Sequence, residues 1–144
     1  MADRSPKAAG MQWINPYLVV KDMKKSLEFY EKAFGLGTRM TIPDDKGNLV
    51  HAEMAHKDGI IMLGGESVEE NMKAPSSMSG SSASLYLYVD NVEEAFSKAK
   101  TAGATTTEEL KDQFWGDRTF QVKCPEGHIW TFAQNVADFD PTKA

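Results

Sequence analysis

The sequence has few of the features that would point to a secreted, membrane or nucleic-acid-binding protein. Its 144 residues include a single cysteine, Cys124, which excludes an internal disulfide and a zinc site made of several cysteines. No apolar run approaches the roughly 18 residues of a membrane-spanning helix. The net charge is −5, without a cluster of lysine and arginine. Phosphate binding needs such a cluster, so we expect neither a nucleic acid nor a membrane as partner.

The composition that remains, 41% hydrophobic and 26% charged, is typical of a globular protein. The first ten residues, MADRSPKAAG, are polar and lack the apolar centre of a secretory signal. We therefore expect a cytoplasmic protein that begins with a flexible tail.

The clearest positive signal is an internal repeat. The segments PYLVVKDMKKSLEFYEKAFGLG (16–37) and LYLYVDNVEEAFSKAKTAGAT (85–105) each predict a short strand followed by an amphipathic helix. Asp22 and Asn91 stand where a helix N-cap is expected. Each helix pattern ends at a glycine, as helices commonly do.

The repeat continues downstream of the helices. KDGIIMLGG (57–65) and PEGHIWTFA (125–133) both place a glycine turn before a short apolar strand. The spacing is the same for the helix-ending pair and the turn pair, which are Gly35 with Gly103 and Gly59 with Gly127. We interpret the chain as two copies of a strand-helix-strand-strand-strand unit.

This interpretation predicts an α+β fold made of two βαβββ modules. The segment between them is rich in serine, glycine and glutamate, which is typical of a flexible linker. The predicted division is a tail at 1–10, a first module at 11–65, a linker at 66–82, a second module at 83–136 and a C-terminal tail at 137–144.

The duplicated βαβββ unit resembles the vicinal oxygen chelate superfamily, which includes glyoxalase I, the bleomycin resistance proteins and extradiol dioxygenases. The matching segments are YLVVKDMKKSLEFYEKAFG, YVDNVEEAFSKAKTAGA and CPEGHIWTFA. More narrowly, NPYLVVKD together with FWGDRTFQVKCPEGHIW resembles the PhnB-like subgroup. The resemblance implies that each module curls its strands into a half-barrel. The helix would lie on the convex side and a pocket on the concave side.

Alternation along the strands then predicts which side chains face the pocket. Trp130 and Phe132 fall on the opposite, helix-facing side and are predicted to be core. The inward set on the strands is Asn15, Tyr17, Val19, His51, Glu53, Ile61, Leu63, Ser84, Tyr86, Tyr88, Thr119, Gln121, Ile129 and Thr131.

The resemblance also implies a divalent metal held by four His, Gln or Glu side chains. The corresponding positions here are Asn15, Leu63, Ser84 and Thr131. None of them offers the imidazole, thiolate or carboxylate that such a metal needs. We therefore expect no metal and no other cofactor. The alternative is a divalent ion such as Zn, Ni, Mn or Fe at a relocated site that includes His51 and Glu53.

Without a metal, the use that the resemblance implies is binding of a small molecule in an aromatic-lined groove, in a homodimer. Phe114 and Trp115 precede a glycine in a predicted loop and are candidates for the pocket rim. Arg118 is a candidate clamp for a carboxylate or phosphonate. The predicted ligand-binding set is Trp13, Asn15, Tyr17, His51, Glu53, Leu63, Ser84, Tyr86, Phe114, Trp115, Arg118, Gln121 and Thr131.

Two other functions stay open at this point. One is a metal-dependent lyase, isomerase or dioxygenase with an atypical site, in which His51 and Glu53 are the candidate proton-transfer pair. The other is a structural or regulatory domain without a free pocket. Cys124 has no histidine placed beside it by local spacing and is interpreted as a spectator thiol.

Overall fold

Residues 4–143 are described by a computed structural model, so the parts of the two predicted tails at 1–3 and 144 lie outside the described residues. The chain divides into two units. The first runs through Glu31 and continues over Gly35–Lys73, and the second combines Lys32–Phe34 with the chain from Ala74 onward. None of the helices among residues 4–143 is long and apolar enough to cross a lipid bilayer.

The elements of the first repeat follow the predicted order. They are β1 (Tyr17–Val20), α1 (Met23–Phe34), β2 (Gly37–Pro43), β3 (Leu49–His56) and β4 (Gly59–Gly65). The sheet order is β1-β4-β3-β2, with β1 parallel to β4 and the other pairs antiparallel.

Helix α1 begins and ends where the sequence predicts. The Asp22 carboxylate accepts a hydrogen bond from the backbone N–H of Lys25 at 3.0 Å. Gly35 ends the helix in a left-handed conformation with φ of 70°, and its N–H donates to the carbonyl of Glu31.

The elements of the second repeat have the same order. They are β5 (Ser84–Tyr88), α2 (Val92–Thr101), β6 (Thr105–Asp112), β7 (Asp117–Lys123) and β8 (Ile129–Asn135). The sheet order is β5-β8-β7-β6, again with one parallel pair, β5 with β8. The Asn91 side chain accepts from the N–H of Glu94 at the start of α2, as predicted.

The core of the second unit lies between α2 and one face of its sheet. Phe96 of α2 lies 4.7 Å from Phe120 of β7, measured between ring centroids. Phe120 in turn stacks on Phe132 at 4.9 Å with nearly parallel rings. Trp130 is also buried, so the prediction that Trp130 and Phe132 are core residues is confirmed.

Residues 66–82, predicted to be a flexible linker, contain defined local contacts. A β-bridge joins Ser67 and Met72, and Pro75–Ser77 form a short 3-10 turn. The N–H of Ser76 donates to the carbonyl of Glu126 in the β7–β8 connection. Within the second unit, Ser76 is therefore fastened to the β7–β8 connection by a backbone hydrogen bond.

The structure therefore contains two βαβββ modules in an α+β fold, as the repeat predicts. Both modules carry two features that matter for function. One sheet face is lined by aromatic residues that alternate with the buried core, and a single parallel strand pair brings the first strand beside the last.

Candidate functional site

The candidate site is the sheet face of the second unit that lies opposite α2. Strand pairing places Tyr86, Thr131 and Gln121 side by side on β5, β8 and β7, so their side chains point to the same side. One step along the sheet, Tyr88 and Thr119 flank Ala133. Both tyrosine side chains are about half exposed, at 47% for Tyr86 and 55% for Tyr88.

The buried carboxylate of this face is Asp117, at the first position of β7 and the end of the sheet. Its Oδ2 accepts hydrogen bonds from the hydroxyls of Tyr86 at 2.6 Å and Tyr88 at 2.8 Å. Its Oδ1 accepts from the Asn135 amide at 3.0 Å. The tyrosines reach it from β5 across β8, where the small side chain of Ala133 leaves room for them. Asp117 itself is only 1% exposed.

The carboxylate is held in its charged form. Burial raises the pKa of Asp117, but hydrogen bonds from Tyr86, Asn135, Tyr88 and Trp115 outweigh burial and hold the pKa below its usual value. Burial and the hydrogen bond to Asp117 raise the pKa of Tyr86 to about 12. The Tyr86 hydroxyl is therefore protonated at neutral pH and donates its hydrogen bond to Asp117.

The loop between β6 and β7 adds further aromatic rings to this face. The indole N–H of Trp115 donates to the Tyr86 hydroxyl at 3.0 Å. Phe114 meets Trp115 edge-on at 5.1 Å and lies 5.7 Å from Phe139, which comes from the C-terminal segment. The sequence predicted Phe114 and Trp115 as a pocket rim, and the structure places Trp115 beside Tyr86 and Phe114 behind it, between Trp115 and Phe139.

The loop is held by Gly116. Its φ of 99° is in the region that favours glycine. An added Cβ would collide with the carbonyl oxygen of Ala137. The carbonyl of Gly116 also accepts from the N–H groups of Val136 at 2.9 Å and Ala137 at 3.1 Å. Backbone contacts therefore fix the corner from which Trp115 and Asp117 project.

Polar side chains occupy the far half of the face. Gln121 accepts from the Thr107 hydroxyl at 2.8 Å and donates to the Thr131 hydroxyl at 3.2 Å. Ser84 is exposed and lies across from Ile129. Gln121, Thr131 and Ser84 thus share the face that the sequence assigned to them, as neutral polar groups.

The equivalent face of the first unit has a different arrangement. Tyr17 on β1 and His51 on β3 come together, with 3.4 Å between the Tyr17 hydroxyl and His51 Nδ1. His51 Nε2 lies 3.8 Å from a carboxylate oxygen of Glu53, which is buried. The other oxygen of Glu53 forms an ion pair with Arg39 of β2.

Two predicted residues before β1 make local contacts. Asn15 exchanges hydrogen bonds with Gln12, donating to its carbonyl at 2.9 Å. Gln12 then pairs with the backbone of Ile60 at the start of β4. Trp13 is 74% exposed, and the Lys7 ammonium group lies 5.8 Å from its ring. Asn15 therefore ties the chain before β1 to β4.

The prediction that Ile61 and Leu63 face the pocket is wrong. Ile61 lies beside the buried Met54, on the same side of the sheet as Leu63. Strand pairing sets Leu63 beside Leu18 and Ala52, and it is completely buried on their face. The residue beside Tyr17 is Met62. The β3–β4 turn is shorter than the β7–β8 turn, so counting from the turn glycine slips by one residue and selects the wrong face.

The prediction that Arg118 lines the pocket is also wrong. Alternation along β7 puts Arg118 on the side of Phe120, where it pairs with Glu93 of α2 at 2.8 Å and with Asp112 of β6 at 2.7 Å. Asp117, its neighbour, faces the tyrosines instead. The sequence analysis did not select Asp117, although the inward Thr119 and Gln121 share its alternation.

The interpretation that Cys124 has no neighbouring histidine is wrong as well. The turn between β7 and β8 closes with the N–H of Cys124 donating to the carbonyl of His128. This brings His128 Nδ1 to 3.6 Å from the sulfur. Both residues are buried, so the pair lies within the turn and not on the candidate site.

The side chains present do not fit the metal that the resemblance implies. With Met62 replacing Leu63, the four positions carry Asn15, Met62, Ser84 and Thr131, and none is an imidazole or carboxylate. Among residues 4–143, no three His, Cys, Asp or Glu side chains come together as a metal site would require.

Comparison with known proteins agrees with the fold. Residues 10–132 match the model of the Glyoxalase/Bleomycin resistance protein/Dioxygenase superfamily. Uncharacterised proteins of Mycobacterium bovis and Mycobacterium tuberculosis are both 35% identical over 133 residues. The alignment covers 87% of this chain and 84% and 75% of the two relatives.

Solved structures extend this agreement. TioX from Micromonospora sp. ML1 is similar with a TM-score of 0.69 and 24% identity, over 87% of this chain and 99% of that one. An Arabidopsis thaliana gene product is similar with a TM-score of 0.68 and 23% identity, over 85% and 98%. At these identities the likeness concerns the fold. The family match and the mycobacterial relatives decide membership, and the chain belongs to the glyoxalase/bleomycin resistance protein/dioxygenase superfamily.

Proposed function

We propose that the protein binds a small organic molecule on the aromatic face of the second unit, without a metal. The surface, here called the tyrosine face, consists of Tyr86, Tyr88, Trp115 and the buried Asp117. Ligand sites combine apolar or aromatic surface with a few oriented polar groups, which is the composition of this face.

The observation that carries the proposal is the hydrogen-bond network beneath the exposed rings. Large aromatic side chains at a protein surface usually lose rotamer freedom when a ligand binds, which reduces affinity. Here the hydroxyls of Tyr86 and Tyr88 are already fixed by Asp117, and Trp115 is fixed by Tyr86. A ligand would therefore meet rings that are preorganised.

Thermal-shift screening and fluorescence titration with planar aromatic compounds, starting with indole and naphthol, test this function. Tyr88→Ala should weaken binding of any stabilising compound by about tenfold, the usual loss for one stacking ring at a binding hot spot. Tyr17→Ala removes a ring of similar exposure from the first unit and should leave binding unchanged. The proposal fails if no compound binds or if the two variants behave alike.

A metal-dependent lyase, isomerase or dioxygenase is the competing function. The donor chemistry of Asn15, Met62, Ser84 and Thr131 argues against it. Reconstitution with Zn, Ni, Mn and Fe salts followed by dialysis and elemental analysis decides the question. We expect metal well below one ion per chain. Stoichiometric retention that His51→Ala abolishes would support the relocated site instead.

Three finer assignments belong to the same proposal. The PhnB-like subgroup is supported by NPYLVVKD and the Trp115–Arg118 corner before the last hairpin. A homodimer is supported by the adjacent apolar side chains of Trp13 and Ile14, which are both strongly exposed. Light scattering on the wild type and on Trp13→Ser/Ile14→Ser tests the dimer, and a monomeric wild type would contradict it. A cytoplasmic location is supported by Cys124, a buried thiol without a disulfide.

A further inference from the structure

The charge of Asp117 has no cationic partner among the described residues. The carboxylate accepts hydrogen bonds from two phenol hydroxyls, one carboxamide and the indole of Trp115, and all of these donors are neutral. Buried carboxylates are usually paired with Lys or Arg. The negative charge is therefore spread into the tyrosine hydroxyls and reaches the surface through them.

We propose that the tyrosine face selects organic cations, with a quaternary or alkylated ammonium group resting on the rings of Tyr86 and Tyr88. This inference rests on the proposed binding function and adds the chemical class of its ligand. Aromatic rings attract cations through the negative face of their π-systems.

The geometry of the two rings suits such a group. Their centroids are 5.5 Å apart and their planes meet at 64°, so they form an edge-to-face pair and not a stacked pair. Both rings are about half exposed. An ammonium group can therefore rest on a ring face that is exposed to solvent, where the π-system attracts cations.

Asp117 strengthens the attraction. When a phenol donates its hydrogen bond to a carboxylate, electron density moves from the O–H bond toward the oxygen and the ring. The ring face then becomes more negative and binds a cation more strongly. Because Asp117 is buried, the ligand does not replace the tyrosine hydroxyls on the carboxylate.

Among residues 4–143, the basic side chains around this face make no ion pair with Asp117. Lys123 is at the other end of β7, about 20 Å along the strand from Asp117. Lys111 lies on β6, the strand next to β7, across from Thr119, and makes no ion pair with Asp117. Glu108, also on β6, lies across from Gln121. Arg118 faces the other side and is engaged by Asp112 and Glu93. Lys143, near the Phe114 carbonyl through Asp140, is paired with Asp140 at 3.9 Å. In the described part of the chain, none of these cations therefore neutralises Asp117.

A matched pair of probes tests the inference on the full chain. Choline and its carbon isostere 3,3-dimethylbutanol have nearly the same shape and differ by one positive charge. We expect choline to bind the wild type about tenfold more tightly, which corresponds to about 1.4 kcal/mol. Titrations followed by NMR suit weak ligands of this kind.

Asp117→Asn removes the charge at nearly constant shape and should reduce the choline preference to about twofold or less. Asp112→Asn removes the same net charge from the opposite face and should keep the tenfold preference. If Asp117→Asn does not fold, Tyr88→Phe provides the second variant. It keeps the ring, breaks its link to Asp117, and should lower the preference about threefold.

Each outcome decides between the two proposals. Equal binding of the two probes by the wild type, or an unchanged preference in both Asp117→Asn and Tyr88→Phe, would overturn the cation inference. If indole or naphthol binds while choline does not, the cation inference falls and the proposed function stands. If none of these compounds binds, both fail.

Discussion

The two units have the same element order, and their corresponding faces differ most in how each compensates a buried carboxylate. In the first unit Glu53 is paired with Arg39, a full positive charge. In the second unit Asp117 is held only by neutral donors, chiefly Tyr86 and Tyr88. The same fold therefore has one face on which Arg39 neutralises the buried Glu53 and one face on which the buried Asp117 is bonded to neutral groups.

The tyrosines of the two units also differ in the side chains that they reach. Tyr17 lies tightly against Gly64, where an added Cβ would collide with its ring and hydroxyl. The residue at the matching position of β8 is Ala133, and there the tyrosines extend across the strand to Asp117. In both units a tyrosine of the first strand therefore crosses the last strand over a small residue. Tyr17 reaches His51 of β3, whereas Tyr86 and Tyr88 reach the Asp117 carboxylate of β7.

The largest effect is expected in the turn before the third strand of each repeat. Gly116→Ala should lower the free energy of unfolding by about 3 kcal/mol. The alanine would be strained at the positive φ of this position, and its Cβ would also collide with the backbone of Ala137. Gly47→Ala, at the corresponding turn of the first unit, has φ of 85° and open space. It should cost about 1 kcal/mol. Urea denaturation measures both losses. If the two variants lose the same free energy of unfolding, the contact with Ala137 does not add to the cost of Gly116→Ala and the prediction is wrong.

The contact between Tyr17 and Gly64 gives the next effect. Gly64→Ala should cost about 1–3 kcal/mol, as insertion into a packed site does, and should separate Tyr17 from His51. Gly65→Ala, one residue later with open space around it, is the control and should be nearly neutral. Tyr17→Ala should rescue Gly64→Ala, and urea denaturation of the double variant measures this. Additive losses would contradict the packing described.

Removing the cation from the first unit tests the charge comparison itself. Arg39→Met leaves Glu53 buried without its ion pair and should cost about 1–2 kcal/mol, at the low end for such pairs because Arg39 is partly exposed to solvent. Glu53→Gln in the Arg39→Met background should recover part of this loss, since no charge remains unpaired. If the double variant is less stable than Arg39→Met, the ion pair is not what stabilises this face. Thermal and urea unfolding at neutral pH provide the measurement.

The smallest effect is a pH dependence that belongs to the second unit. The pKa of Asp117 is lowered in the folded state from its usual 3.8, so the folded protein binds this proton less readily than the unfolded chain. The resulting stability is present above about pH 4 and is lost as the pH falls through the folded-state pKa. Asp117→Asn should therefore lose less stability between pH 5 and pH 3 than the wild type does, in urea denaturation. Parallel pH profiles for the two proteins would contradict this assignment.

Much of the architecture follows from local signals in the sequence. The repeat, the caps at Asp22 and Asn91, and the buried Trp130 all rest on interactions within a few residues or on alternation along one strand. These are features that a pattern specifies directly.

The site was predicted less completely because it depends on pairing between strands. Leu63 was assigned to the wrong face because the two hairpin turns differ in length, and a slip of one residue inverts a strand. Asp117 was missed because its partners, Tyr86 and Tyr88, lie about 30 residues earlier and reach it across β8. The pairing of Arg118 with Glu93 likewise depends on where α2 packs, which no local pattern encodes.

The indole N–H of Trp115 offers the most direct test of the central claim, that the tyrosine face is the binding surface. The chain has three tryptophans, and their indole signals can be assigned by single Trp→Phe substitutions. Titration with a compound that raises the melting temperature should shift the Trp115 signal and leave those of Trp13 and Trp130 in place. A ligand that moves the Trp13 signal, or the Tyr17 and His51 ring signals, while the Trp115 signal stays unchanged would contradict the account.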